Sequence, residues 1–261
     1  MRSILNVMLG FSLLSAAGAA TDVDTSESLP SPVLVELFTA EGCSSCPPAD
    51  EFLLQLDAHQ PIPGAQVIVL SEHMSYWNDS WPDPFASAQL TARQADYVRA
   101  LKRPSPYTPQ FIVDGTREIR LSDPHEIEPT LRAAAAGSKI PVSVASLRVE
   151  SGSPPHLSGE IEVDGSAQQQ RADVYLAIAL DRMETKVLRG ENRGKTLAHV
   201  AVVEFLSKVG ALKPGQTYNH TFRVPLERGL ASNDARVIAF VQEAGNGEVV
   251  GATLRRTVRS Q

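Results

Sequence analysis

The chain has 261 residues, of which 43% are hydrophobic and 21% are charged, and its formal net charge is −6. This is the composition of an ordinary globular protein with room for two domains, and it argues against intrinsic disorder. Because the charge is negative and no run of Lys or Arg occurs, nucleic acids and anionic membranes are excluded as expected partners.

The first twenty residues have the pattern of an export signal. Arg2 precedes an apolar stretch from Ile4 to Leu14, and small residues that suit signal peptidase follow it. The apolar stretch is too short to span a bilayer, and no other segment is long enough. We therefore expect residues 1–20 to be a signal peptide, residues 21–31 a flexible lead-in, and the mature protein to be periplasmic or secreted. An uncleaved anchor is the alternative.

The most informative stretch runs from Val33 to Asp50 and combines a strand, a turn and a helix start. Val33 to Phe38 is a short apolar run that is typical of a buried strand, and Gly42 ends it. Two prolines follow Cys46, at positions where the first helical turn has N–H groups to spare. Cys43 and Cys46 therefore flank a helix N-terminus, where the helix dipole stabilises a thiolate.

The two cysteines are the only ones in the chain. A disulfide scaffold would spread several pairs along the sequence, and a bridge between residues this close in sequence closes too small a loop to stabilise the fold much. We therefore favour thiol–disulfide exchange, with Cys43 on the exposed side of the turn as the nucleophile and Cys46 as the resolving thiol. A structural disulfide that staples the turn is the alternative.

A polar and aromatic connection follows the second predicted strand, Gln66 to Ser71, which should lie parallel to the first. Ligands gather beyond the carboxyl ends of parallel strands, so this connection should form one wall of a site beside the cysteines. In it, His73 could assist proton transfer or, with Met74 and the cysteines, bind Cu(I), and a structural hydrogen-bonded role is the alternative. Trp77 and Trp81 could cover a substrate groove or seal the edge of the core, and the second role is favoured for Trp81.

The stretch YTPQFIVDG, from Tyr107 to Gly115, is a proline followed by an apolar strand and a tight Asp-Gly turn. Thioredoxin-like proteins place a cis-proline loop opposite the Cys-x-x-Cys in this order. We expect the Thr108–Pro109 bond to be cis and to pack against the cysteine turn. The backbone of Thr108 would then be free to pair with an extended peptide.

Two acidic residues near the cysteines have different expected environments. Glu36 lies inside the apolar run, where an unpaired carboxylate would be costly and would hold a proton. It precedes Cys43 by seven residues, one more than the buried acid of thioredoxins, so its side chain should face the other way unless a bulge intervenes. Glu41 should be exposed, and its charge should oppose thiolate formation.

Several of these motifs together resemble one known family. The run ELFTAEGCSSCPPAD, followed by VIVLSEHMSYWND, DPFAS, ARQ and YTPQFIVDG, resembles DUF1223, a family of secreted bacterial proteins of unknown function whose first half looks like thioredoxin. The resemblance and the element order β-α-β-α-β-β-α predict a thioredoxin-like domain over residues 32–138. The family label implies no substrate.

The periodicity changes after Lys139, where about seven stretches alternate apolar and polar residues between turn residues. Strands without helices imply an antiparallel β-sandwich-like domain over residues 139–261. Within it, the polar segment from Arg189 to His199 also resembles a DUF1223 motif. We favour a solvated hairpin loop for it, and the alternative is that Glu191, Asn192 and His199 pack against the thiol face.

The predicted fold class is thus an α/β thioredoxin-like domain followed by an all-β antiparallel sandwich-like domain. The leading hypothesis is a thiol–disulfide oxidoreductase that acts on protein thiols or disulfides. The alternatives are a copper-binding or delivery module and a non-catalytic interaction protein with a structural disulfide. No haem-attachment, phosphate-loop, nucleophile-elbow or zinc-protease motif occurs, so no cofactor is predicted. The predicted site residues are Cys43, Cys46 and Pro109 for catalysis, and Thr108, His73 and Trp77 for substrate binding.

Overall fold

Strands dominate the fold, and most of them belong to one sheet. The computed structural model describes residues 29–226 and 235–257, of which 47% are in strands and 19% in helices. The strands are β1 Ser31–Thr39, β2 Ala65–His73, β3 Gln110–Val113, β4 Arg117–Ile119, β5 Val142–Glu150, β6 His156–Asp164, β7 Ala172–Lys186, β8 Thr196–Leu212, β9 Thr217–Pro225, β10 Ala235–Glu243 and β11 Val249–Arg256. The α-helices are α1 Pro47–His59, α2 Ala88–Ala100 and α3 Ile127–Ala135, and 3-10 turns cover Ser75–Trp77 and Pro124–Glu126.

An eight-stranded mixed sheet runs through the molecule in the order β11-β10-β7-β8-β2-β1-β3-β4. β1 and β2 are parallel, and α1 connects them, as the sequence predicts. β3 is antiparallel to β1, and β7, β8, β10 and β11 form antiparallel pairs. A second sheet of three strands, β5-β6-β9, packs against the part of the large sheet formed by β7 and β10.

The predicted fold class is wrong. The chain is not an α/β thioredoxin-like domain followed by a sandwich, because strands from both sides of residue 138 share the eight-stranded sheet. The junction is a parallel bridge between Ser71 of β2 and Val202 of β8. β8 has 17 residues, whereas the apolar alternation that predicts it covers only residues 200–205. The alternating pattern locates a strand but does not identify its partner, so the sequence does not reveal this junction.

The sheet is buried on both faces where β7 and β10 lie. In β7, Val174, Leu176 and Ile178 join the core under the three-stranded sheet, whereas Ala177 and Ala179 join the core that includes the helices. Side chains of a strand alternate between its faces, so one strand serves both cores. The two cores are therefore the two sides of a single sheet.

Glu36 lies at the buried centre of β1 but is not an unpaired acid. The Nε of Arg93 donates to its carboxylate at 2.6 Å, and the hydroxyl of Tyr97 donates at 2.5 Å. The expectation of an unpaired Glu36 is therefore wrong, because Arg93 of α2 supplies a cation. Beside it, burial and the neighbouring charge of Glu36 raise the pKa of Glu72 well above its usual value.

The predicted signal peptide, residues 1–20, and residues 21–28 of the predicted lead-in lie outside the described residues. Within the described ranges, no helix combines the length and the apolar character needed to cross a membrane.

Arg236 ties the end of α1 to the second half of the chain. It lies in β10, is 1% exposed, and donates from both Nη atoms to the carboxylate of Asp57 at 2.6 and 2.8 Å. Its Nε donates to Asp181 of β7 at 2.5 Å. The last turns of α1 are thus fixed to two strands of the large sheet.

Replacing Arg236 by Met should lower the free energy of unfolding by about 3–5 kcal/mol, because it leaves the buried carboxylate of Asp57 with only the half-exposed Arg182, 3.4 Å away, as a cation. Urea unfolding measures this change. The matched control is Arg256→Met, whose guanidinium is 55% exposed and 3.5 Å from Asp181, and which should cost less than about 1 kcal/mol. Similar losses in the two variants would show that the buried pair does not fix α1.

Candidate functional site

Cys43 and Cys46 form a disulfide at the start of α1, with their Cα atoms 5.5 Å apart. Cys46 is the N-cap residue and prolines occupy the first helical positions, so the predicted helix start is confirmed. Cys43 is 1% exposed and Cys46 is fully buried. The predicted exposure of Cys43 is therefore wrong, because groups from three other segments cover the turn.

The first covering group is the loop before β3. The Thr108–Pro109 bond is cis, and the carbonyl oxygen of Thr108 lies 3.8 Å from the Sγ of Cys43. The Nε1 of Trp77 donates to the Thr108 hydroxyl at 2.8 Å. The predicted cis bond and its contact with the cysteine turn are confirmed. The roles of Thr108 and Pro109 in substrate binding and catalysis stay predictions.

The second covering group is the segment 187–195, which we call the covering loop. The Nδ2 of Asn192, fully buried, donates to the carbonyl oxygens of Glu41 and Cys43, both at 2.8 Å. The backbone N–H of Ser44 donates to Glu191 at 2.9 Å, and hydrogen bonds from Ser44 lower the pKa of that carboxyl. Most residues of this loop are exposed, as the favoured interpretation of a solvated loop predicts, but Asn192 is buried. The alternative, packing against the thiol face, is confirmed for Glu191 and Asn192 by these contacts.

The third covering group is the connection after β2, which touches both the cysteine turn and the covering loop at Ser80. A Cβ added to Gly42 would lie 2.5 Å from the Oγ of Ser80 and 3.1 Å from the carbonyl oxygen of Trp77. A Cβ added to Gly190 would lie 2.9 Å from the carbonyl oxygen of Ser80, and this glycine has a φ of +79°. Two glycines are thus needed for three segments to meet over the disulfide.

A buried polar cluster lies beside the cysteine turn and consists of Glu41, Asp50, His73, Asp83 and His199. The Nε2 of His199 is 3.4 Å from Glu41, and its Nδ1 is 3.7 Å from Asp50. The Nδ1 of His73 is 2.8 Å from Asp83, and the rings of the two histidines have centroids 4.8 Å apart.

Glu41 is fully buried, so its predicted exposure is wrong. Its carboxylate accepts a hydrogen bond from the Nε1 of Trp81 at 2.7 Å, and its backbone N–H donates to Asp83 at 2.9 Å. Trp81 thereby lies against the cluster. The sequence does not reveal this environment, because Trp81, Asp83, Asn192 and His199, which surround Glu41, are at least 40 positions away.

Neighbouring groups shift the pKa values of two members of the cluster, His199 and Asp83. Burial lowers the pKa of His199, but Asp50 and Glu41 outweigh that effect and raise the pKa to about 9. Burial raises the pKa of Asp83, but His73 and two backbone N–H groups outweigh it and keep that pKa below its usual value. At neutral pH, His199 is therefore a buried cation between carboxylates.

His73 belongs to this cluster, where its ring also packs against Phe85. Met74 is fully buried. Across residues 29–226 and 235–257, no group of three or more His, Cys, Asp or Glu side chains is arranged to hold a metal ion. Within these residues, the structure therefore provides no set of metal ligands that would support the copper hypothesis.

A cleft of about 210 Å³ opens between the first turn of α1 and the start of β8. Pro47, which follows the disulfide directly, forms part of its wall, and so does Asp50 of the buried cluster. The remaining lining residues are Glu51, Thr196, Leu197 and Ala198. The cleft thus connects solvent with the region beside Cys46.

These features define a mostly β protein with a mixed sheet that carries a covered Cys-x-x-Cys disulfide at a helix start, next to buried ionisable groups. The chain belongs to the DUF1223 family, described as protein of unknown function, whose model matches residues 34–242. The resemblance in the sequence is thereby confirmed at the level of the family.

Two solved structures are similar over most of the chain. Protein AGR_C_4864 from Agrobacterium tumefaciens is 28% identical, with a TM-score of 0.65 over 88% of this chain and 96% of that one. HBP35 of Porphyromonas gingivalis is 18% identical, with a TM-score of 0.63 over 88% and 76%, and at this identity the similarity concerns the fold alone. A search of curated proteins found no match.

The raised pKa of His199 makes the stability depend on pH. Its pKa in the folded protein, about 9, exceeds the ordinary 6.5, so its contribution is fully present below pH 6.5 and is lost as the pH rises through 9. The contribution is roughly 3 kcal/mol. In His199→Gln, the free energy of unfolding, measured with urea, should not show this loss between pH 6.5 and 9. In His125→Gln, which changes an exposed histidine, the loss should remain. If the free energy of unfolding depends on pH equally in both variants, His199 is not the group responsible.

Asn192→Ala should expose the disulfide to reductants. The substitution removes the donor to two buried carbonyl groups, which costs about 1–3 kcal/mol and loosens the covering loop. We expect dithiothreitol to reduce the variant several-fold faster than the wild type, as measured by thiol release. Arg193→Ala, an exposed position in the same loop, is the control. An unchanged rate in Asn192→Ala would show that the loop does not limit access.

Proposed function

We propose that this protein is an exported thiol–disulfide oxidoreductase that cycles Cys43 and Cys46 between dithiol and disulfide while it exchanges with protein substrates. The observation that carries the proposal is that the only two cysteines of the chain form a disulfide at a helix N-terminus. Such a position stabilises the thiolate that exchange requires.

The exchange proceeds through a mixed disulfide. In the reducing direction for this protein, a substrate thiolate attacks the Sγ of Cys43, the intramolecular S–S bond breaks, and its electron pair leaves on the Sγ of Cys46. A second substrate thiolate then attacks the substrate sulfur of the mixed disulfide and releases Cys43. The protein gains two electrons and two protons, and the substrate dithiol becomes a disulfide.

The surroundings of the disulfide support exchange. A bridge with a sequence separation of three contributes little chain-entropy stabilisation, yet the structure buries two carboxylates and an imidazole next to it. Buried ionisable groups are costly, and they concentrate at functional sites. The carbonyl oxygen of Thr108 beside Cys43 is an acceptor that an extended substrate could use.

The burial of both sulfurs supports a second candidate, a non-catalytic interaction protein with a structural disulfide. The two candidates differ in reduction potential, because structural disulfides have potentials below about −300 mV, whereas exchange-active ones are higher. Equilibration with glutathione buffers distinguishes them. A potential in the exchange range with rapid equilibration supports the oxidoreductase.

Cys46→Ser should form a stable mixed disulfide with a reducible protein substrate, because the nucleophile remains and the resolving thiol is gone. Cys43→Ser should form little, since the proposed nucleophile is then gone. Non-reducing electrophoresis followed by mass spectrometry measures the adducts.

Near neutral pH, iodoacetamide should also label Cys43 much faster than Cys46 in the reduced wild type. Slow, equal labelling of both thiols would contradict the proposed function.

A further inference from the structure

Asp50 is placed by helix geometry on the same side of α1 as Cys46. Cys46 has helical φ and ψ angles of −77° and −37°, and its carbonyl oxygen accepts the N–H of Asp50 at 3.0 Å. Residues four apart in this geometry have Cβ atoms about 5–6 Å apart on one face. Cys46 and Asp50 are therefore neighbours on one face of the helix start, and the carboxyl of Asp50 is buried there.

One carboxylate oxygen of Asp50 is left without a partner. Asp50 is 4% exposed, and its Oδ1 accepts a hydrogen bond from the hydroxyl of Thr39 at 2.9 Å. Its Oδ2 is buried and has no hydrogen-bond partner among the described residues. A buried unpaired acceptor is costly, and this cost indicates a role beyond packing.

His199 faces Asp50 and fixes its electrostatic environment. Charged and titratable groups reach the imidazole from each element around it: Asp50 on α1, Glu41 in the cysteine turn, and His73 on β2 with its partner Asp83. His199, whose pKa is raised to about 9, is cationic at neutral pH, and its Nδ1 lies 3.7 Å from Asp50.

Asp50 also has a route to solvent, because it lines the cleft between α1 and β8. A cleft of about 210 Å³ is large enough for several water molecules. Protons can therefore pass between solvent and Asp50 while Cys46 itself stays covered.

We propose that Asp50 accepts and returns the proton of Cys46 during exchange, and that His199 is the positioning residue that supplies the cation beside Asp50 for this step. The inference rests on the proposed function. In the oxidising direction for this protein, the thiol proton of Cys46 moves to the Asp50 carboxylate, and the Cys46 thiolate attacks the Sγ of Cys43 in the mixed disulfide. The intramolecular S–S bond forms, the substrate leaves as a thiolate, and Asp50 releases the proton through the cleft. The reducing direction reverses these transfers.

A single-turnover reaction with Ellman's reagent separates the two thiol steps. When the reduced full chain attacks the reagent, Cys43 releases one thionitrobenzoate, and the attack by Cys46 on the resulting mixed disulfide releases the second. Stopped-flow absorbance therefore reports each step by itself. In Asp50→Asn, we expect the second release to slow by at least about tenfold while the first changes by less than about twofold.

Glu128→Gln is the control. It removes one charge from an exposed helix position that lines neither the cleft nor the buried cluster, and Glu128 is 61% exposed and accepts a hydrogen bond from the Nε of Arg132 at 2.9 Å. Both release rates should stay at the wild-type level. Equal slowing in Asp50→Asn and Glu128→Gln would overturn the inference, because a general charge effect would then explain the result.

His199→Gln gives a second measurement that does not depend on the folding of Asp50→Asn. The variant removes the cation nearest to the proposed proton acceptor, so the pH profile of the second release should move to higher pH. A merely structural role of His199 would lower the rate without moving the profile. An unmoved profile, or a wild-type second step in Asp50→Asn, would overturn the inference.

Different experimental outcomes would show that the proposed function is wrong and that only the role of Asp50 is wrong. If dithiothreitol does not reduce the wild-type disulfide, or if reduced Cys43 releases no first thionitrobenzoate, the proposed function and this inference are both wrong. If the wild type completes both steps and Asp50→Asn does the same at an equal rate, only the role of Asp50 is wrong.

Discussion

The bridge between β2 and β8 is the constraint on which the site depends. Ser71 pairs with Val202, and this single contact places the start of β8 beside the first turn of α1. His199 then reaches the carboxylates of Glu41 and Asp50, and the covering loop that precedes β8 reaches the cysteine turn. Without this pairing, β2 would be an edge strand of the sheet. The environment of the cysteines is thus built in part by residues that follow them by about 150 positions.

The sequence predicts local structure well because local structure depends on neighbours in the chain. The helix start at Cys46 follows from two prolines and an apolar repeat, and the cis bond at Pro109 follows from a proline before a short hairpin. The strands of both halves follow from apolar runs and alternation. The fold class does not follow, because the apolar pattern locates β8 but does not identify β2 as the strand that it pairs with.

The burial of the site follows from long-range contacts that leave no local signal. Glu41 has the sequence environment of an exposed loop residue, yet Trp81 and Asn192 enclose it. Asp50 has one signal that sequence reading can use, its position four residues after Cys46 on the same helix face. Charged residues are buried here because each contacts a polar partner in another segment. Such contacts depend on the tertiary structure and not on neighbours in the sequence.

Helix α1 is held at both ends by the second half of the chain, and this arrangement has a consequence for the order of assembly. Asn192 contacts the turn before the helix across 149 positions, and Arg236 contacts Asp57 near its end across 179. Contacts of such high sequence separation form late, because the loops that they close are long. During biosynthesis, Cys43 and Cys46 would therefore meet oxidants and other thiols before their cover exists. The redox state in which the protein completes folding is then determined by the compartment rather than by the finished site.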